Sequence, residues 1–155
     1  MRTVFTATIL ILLFAGNNVR AADRGMGVGV IIGEPTGICA VNRVNESNSL
    51  AAAIAWSLTG NSSLHLHIDD LFHKNDLWVL PFYYGGGIRL LLVEDSEDED
   101  DKRTTRLGIR LPLGINYQFD PYPIDAFFEV VPIIGLLPDT DFDLNAAVGV
   151  RFYFE

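Results

Sequence analysis

Taken every second residue, the last fourteen positions, Phe142 to Glu155, separate into two chemistries. Phe142, Leu144, Ala146, Val148, Val150, Phe152 and Phe154 fall on one side. Asp143, Asn145, Ala147, Gly149, Arg151 and Tyr153 fall on the other. A β-strand sends successive side chains to opposite faces, so this stretch is one strand with an uninterrupted apolar face. Its other face is small and polar, without the Lys, Glu and Thr that a soluble sheet shows to water. Such a strand suits a wall with lipid on one side and an enclosed lumen on the other.

At 155 residues the chain has the length of one domain, and its mean hydropathy of +0.25 is high for a soluble one. It holds no uninterrupted apolar run of the roughly 20 residues that a membrane-spanning helix needs, so any crossing must use strands. Residues 1–21 read as a signal peptide, leaving a single barrel domain over 22–155. Arg2 supplies the positive start, Val4 to Gly16 the apolar centre, and Val19-Arg20-Ala21 the small-residue cleavage site. Loss of Arg2 and Arg20 with that segment takes the formal charge from −9 to −11. So acidic a chain is a poor match for nucleic acid. The lone Cys39 excludes an internal disulfide and reads as a free thiol on the small-residue face of a strand.

The same alternation recurs along the chain. In Gly25 to Gly33, Met26, Val28, Val30 and Ile32 oppose four glycines, which a narrow lumen filled by long side chains from across the barrel would explain. Ile38–Val44 and Leu50–Thr59 follow, the second Ala-rich enough to compete as a buried helix. Leu64, Leu66 and Ile68 oppose His65, His67 and Asp69, with His73 to Asp76 as a polar connection. A long fifth strand covers Leu77–Val93, and Arg106–Phe119 and Ile124–Leu136 precede the last. Between the fifth and sixth, Glu94 to Lys102 is a charge run that reads as a mobile loop. The expected fold is therefore all-β, an eight-stranded antiparallel up-and-down transmembrane β-barrel, whose closure removes exposed edges.

The polar residues decide which face looks outward. Lys74 and Lys102 are the only lysines, and both fall in connections. The ionisable strand residues Asp69, Arg89, Arg106, Arg110, Asp125, Glu129, Asp143 and Arg151 all lie opposite the apolar stripe. Enclosed charges must be paired, and eight strands leave an interior that side chains fill. The expectation is a plugged lumen with an Arg–carboxylate network. If the N-terminus sits on the periplasmic side, Phe72, Trp78, Tyr117, Phe119, Tyr122, Phe152 and Phe154 gather at one rim as an aromatic girdle. Pro81, Pro112 and Pro132 fall inside expected strands, so bulges or strand ends are expected there.

The C-terminal stretch Gly149-Val150-Arg151-Phe152-Tyr153-Phe154 resembles the assembly signal of bacterial outer-membrane β-barrels, carried by Gly149, Phe152 and Phe154. It departs in having Ala147 where a polar residue usually stands and Glu155 after the aromatic. As architecture the chain is similar to the small eight-stranded barrels of the OmpA transmembrane domain and OmpX kind. Gly33-Glu34-Pro35-Thr36-Gly37 and Pro138 to Asp143 further resemble a family of uncharacterised barrels. The resemblance implies a bacterial outer-membrane location, a lipid surround, and recognition of the last strand by the barrel-assembly machinery.

Candidate sites are few. His65, His67 and Asp69 share a face, with Ser62 and Ser63 just before them. A hydroxyl activated by a histidine that a carboxylate orients would suit a lipid-modifying enzyme, and two histidines a metal. The plainer reading makes them polar lumen filling, since no other enzyme motif is present. The acidic run from Glu94 and the trio Asp139, Asp141 and Asp143 offer oxygen ligands to a divalent cation, without the glycine and spacing of an EF-hand. The sequence thus favours a non-enzymatic barrel, without cofactor, whose outer loops do structural or adhesive work on a surface partner. A lipid-modifying enzyme on the same scaffold and a secreted lipocalin-like carrier are the alternatives.

Overall fold

The computed structural model describes residues 25–57, 63–74, 81–94 and 103–154. The expected signal peptide over residues 1–21, Ser62, Trp78 and most of the acidic run lie outside them. Among the described residues the elements are β1 (Met26–Gly33), β2 (Thr36–Asn45), β3 (Asn48–Trp56), β4 (Ser63–Lys74), β5 (Phe82–Glu94), β6 (Arg103–Arg110), β7 (Leu113–Gln118), β8 (Ile124–Leu137) and β9 (Phe142–Phe154). Each pairs antiparallel with its neighbours, and β1 closes the ring onto β9 from Met26↔Phe154 to Gly33↔Ala147. Both β6 and β7 run between β5 and β8. They are two halves of one stave, so nine segments make an eight-stranded barrel.

The broken stave corrects the continuous strand expected over Arg106–Phe119. Leu111 and Pro112 leave the ladder, because Pro112 has no N–H to offer it. Pro132 lies opposite, inside β8, and the two gaps meet. The Leu111 N–H donates to the Pro132 carbonyl at 2.9 Å, and the Gly85 N–H donates to the Pro112 carbonyl at 2.9 Å. Pro81 stands just before β5, where its carbonyl accepts the Asn116 N–H at 3.1 Å. The sheet keeps its bonds at all three prolines by using their carbonyls.

Turns are built locally. Gly33 has φ of 141°, a conformation that side-chain-bearing residues rarely adopt, and its N–H and carbonyl both engage the Thr36 hydroxyl. At the other end, Asn45 Oδ1 accepts the Ser47 N–H at 3.0 Å, an Asx turn joining β2 to β3. One end of the barrel, here the terminal end, holds the start of β1 and the finish of β9. The opposite, loop end holds the finish of β1, the start of β9 and the longest connection, residues 95–102 between β5 and β6.

The faces are inverted relative to a soluble protein. Along β9 the even-numbered side chains point out, from Phe142 at 71% exposure to Phe154 at 52%, while Asn145, Ala147, Gly149, Arg151 and Tyr153 are buried. Leu111, Leu113, Ile115 and Tyr117 are exposed on the stave that buries Arg110, Gly114 and Asn116. At the terminal end the exposed aromatics form a band. Phe72 stacks on Tyr84 at 5.8 Å, Tyr117 meets Phe119 edge-on at 4.9 Å, and Phe152 meets Phe154 at 5.2 Å. A continuous apolar belt edged by aromatics is the outer surface that β-barrels of the membrane-spanning kind present.

Candidate functional site: the barrel interior

Inward side chains stack in levels along the axis. Near the terminal end, Arg151 and Asp125 are direct partners across β8 and β9. Arg151 Nε donates to Asp125 Oδ1 at 2.9 Å and Nη2 to Oδ2 at 2.8 Å, and the Tyr153 hydroxyl adds a third bond at 2.7 Å. Asp125 is fully buried, and the guanidinium lies 4.3 Å from the centre of the Phe127 ring. A forked guanidinium on a carboxylate, with every strong acceptor used, is the form in which enclosed charge is tolerated.

The middle level is assembled across longer sequence distances. Arg110, 1% exposed, donates from Nε to Asp69 Oδ1 at 3.0 Å and Oδ2 at 3.2 Å, and its Nη2 lies 3.7 Å from Glu129 Oε1. The Tyr83 hydroxyl donates to Glu129 Oε2 at 3.0 Å. Glycines make these reaches feasible. Gly87 of β5 stands in register between Asp69 and Arg110, and a Cβ there would strike the Asp69 carboxylate. Gly114 stands likewise between Tyr83 and Glu129, and a Cβ there would strike the Tyr83 ring. Gly29 of β1 gives the same room to Arg151. The large side chains that lie over the glycines thus come from the adjacent strand, not from across the barrel.

Toward the loop end the pairing loosens. Arg89 Nη1 donates to Asp143 Oδ2 at 2.9 Å, with the Asp143 side chain 48% exposed. Arg106 lies apart from the enclosed set. Its side chain is 49% exposed at the mouth, and among the described residues its carboxylate partner is Asp141 at 3.9 Å. The expectation that Arg106 belongs to the lumen network is corrected: it shares their face, but it sits too near the start of β6 to be covered.

The structure also places residues that pattern reading missed. His73, expected in a connection, is an inward residue of β4, and its Nε2 lies 2.7 Å from the Ser49 hydroxyl with both groups buried. A continued period of two from His65 through Asp69 would have found it. The interior is not polar throughout: Ile31, Cys39, Ala53, Leu71, Tyr83, Phe127 and Ala147 pack as one cluster there. Ser63 Oγ lies 3.3 Å from His65 Nε2, whereas Asp69 approaches His67 at 3.8 Å. The carboxylate therefore contacts a different imidazole from the one beside the hydroxyl, which is not the order a Ser–His–acid relay needs. Among the described residues no group of three or more His, Cys, Asp and Glu side chains is placed to hold a metal ion.

A closed eight-stranded barrel with an apolar outside and ion pairs inside defines the class: the fold of the small outer-membrane β-barrels. The chain is similar to the N-terminal β-barrel domain of Pseudomonas aeruginosa OprF, with a TM-score of 0.72, 16% identity, and 83% of this chain and 96% of that one covered. It is similar also to Neisserial surface protein A (NspA), with a TM-score of 0.59, 13% identity, and coverage of 83% and 93%. At these identities the likeness concerns the fold. The chain belongs to the family described as protein of unknown function DUF3996, which it matches over residues 17–154. No curated protein matches it.

Proposed function

We propose that this chain is exported by a cleaved signal peptide at residues 1–21 and inserts in a bacterial outer membrane as a plugged, non-enzymatic barrel. Its work is structural or adhesive, done by the loop end on a surface partner. The observation that carries this reading is the inversion of faces: exposed Val148, Val150 and Phe152 alternate with buried Arg151 and Tyr153 on one strand. Burying the two-pronged Arg151–Asp125 pair inside while leaving that apolar row in water would be unfavourable on both counts, and lipid removes the second. The stacked ion pairs and the apolar cluster support a lumen filled by side chains. The longest connection, residues 95–102 at the loop end, supports an orientation with the terminal end toward the periplasm. Gly149, Phe152 and Phe154 on the closing strand are the features offered to the barrel-assembly machinery.

Cell fractionation tests this directly. The reading expects the protein in the outer-membrane fraction, heat-modifiable on a gel, and unable to release sucrose when reconstituted in vesicles. A detergent-independent monomer in the soluble fraction would overturn it. The 3.3 Å Ser63–His65 contact favours one second reading, a lipid-modifying enzyme. Ser63→Ala and His65→Ala would then alter the lipid profile of the membrane; an unaltered profile removes that reading. A lipocalin-like carrier needs its apolar side chains inside, and here they point outward.

A further inference from the structure

Five of the inward side chains of β4 are polar: Ser63, His65, His67, Asp69 and His73, with Leu71 the one interruption. They run from the loop end of the lumen to the terminal end. His65, His67 and His73 are each buried, and the Nδ1 of each lacks a hydrogen-bond partner within the protein. Buried polar atoms of that kind are normally satisfied by internal water.

At the level of Leu71 the polar line has a way round. A cavity of ≈ 20 Å³ is lined by His67, Asp69 and Glu129 among others, enough for about one water with the two to four polar neighbours such a water needs. Glu129 Oε2 accepts the Tyr83 hydroxyl at 3.0 Å, and the Tyr83 ring lies 5.7 Å from that of His73. His73 Nε2 then reaches Ser49 Oγ at 2.7 Å, next to the terminal mouth. Charge favours the passage of a cation through the middle level. Arg110 is one guanidinium between two carboxylates, Asp69 and Glu129, so an arriving proton neutralises that level. Arg151 is matched by Asp125 and Arg89 by Asp143. Glu34 lies at the loop end, where its carboxylate accepts the Ser57 hydroxyl at 3.0 Å, and Arg43 is half-buried near the terminal end.

We propose that this line is a proton path: the barrel passes protons, and not solutes, between its two ends. The inference rests on the reading above that the barrel spans a bilayer. A proton enters at Ser63 and His65, and each imidazole takes one on one ring nitrogen as it releases another from the other. Asp69, the cavity water, Glu129 and Tyr83 hand it on to His73 and Ser49. Bridging water carries the steps from His65 to His67 and from Tyr83 to His73. Only O–H and N–H bonds form and break, and the line holds the same number of protons after each passage.

The test uses the full barrel refolded into vesicles containing a pH-sensitive dye, with proton entry driven by a valinomycin-clamped potassium gradient. Proton entry should be faster than in protein-free vesicles while trapped sucrose stays inside. His67→Gln and Glu129→Gln should each lower the protein-dependent flux at least about tenfold. Arg106→Ala, at the exposed mouth, should leave it unchanged. Flux equal to that of protein-free vesicles, or undiminished flux in both Gln variants, overturns the proposal, as does sucrose release alongside the protons. Heat-modifiable migration and flotation with the vesicles are read on every sample. Their loss in the natural chain overturns the membrane reading itself, and their retention without flux overturns the proton path alone. A Gln variant that keeps both while losing flux supports the path independently of folding.

Discussion

The two ends of the lumen hold their arginines in different ways. At the terminal end Arg151 grips Asp125 with two bonds, Tyr153 adds a third, and the carboxylate is fully buried. At the loop end Arg89 makes one such bond to Asp143, which is half exposed, and Arg106 faces Asp141 at 3.9 Å in the open. All three arginines occupy the same face of their strands. What differs is height along the axis, and with it the cost of leaving a charge alone. A buried guanidinium stripped of its partner has no water to turn to; one at the mouth does.

That contrast can be broken by substitution, with effects that should fall from the terminal end to the loop end. Asp125→Ala leaves Arg151 enclosed and unpaired and should cost about 3–5 kcal/mol of unfolding free energy, measured by urea titration in lipid vesicles. Gly87→Val attacks the middle level by putting side-chain volume between Arg110 and Asp69, and should cost about 1–3 kcal/mol. Asp143→Asn removes the charge but keeps an acceptor oxygen for the buried Arg89, on a side chain that is itself half exposed, so a loss of about 1 kcal/mol is expected. Arg106→Ala should change stability by less than about 0.5 kcal/mol, and raised salt should erase what difference there is. A loss at Arg106 as large as that at Asp125 would mean that height along the axis does not grade these pairs.

Face was legible in the sequence and height was not. Alternation in β9 separated Val150 from Arg151 correctly, because a period of two depends only on backbone geometry. The same pattern placed Arg106 with Arg110, since nothing in the period says where the enclosed lumen opens to solvent. The sixth stave shows a second limit. Its alternation is as clean as that of β9, yet Pro112 splits it, and its partner Pro132 lies 20 positions away in a different segment. His73 was lost for another reason: in a soluble sheet a His-Lys-Asn-Asp run signals a turn, but a polar lumen admits histidine as strand filling. The pairings over Gly87 and Gly114 were hidden because they depend on the register of three strands at once. Only after Asp69, Gly87 and Arg110 are aligned does the glycine show itself as the room through which the ion pair forms.

The central claim is that lipid, not lumen, meets the even-numbered residues of β9. Single cysteines placed along β9 in a Cys39→Ser background, spin-labelled and reconstituted in vesicles, report it through collision with oxygen, which concentrates in lipid, against a water-soluble nickel chelate. The account predicts high oxygen accessibility at positions 146, 148 and 150 and low values for both probes at 145, 147 and 149. Oxygen accessibility at the odd positions, or nickel accessibility along the even ones, would contradict it.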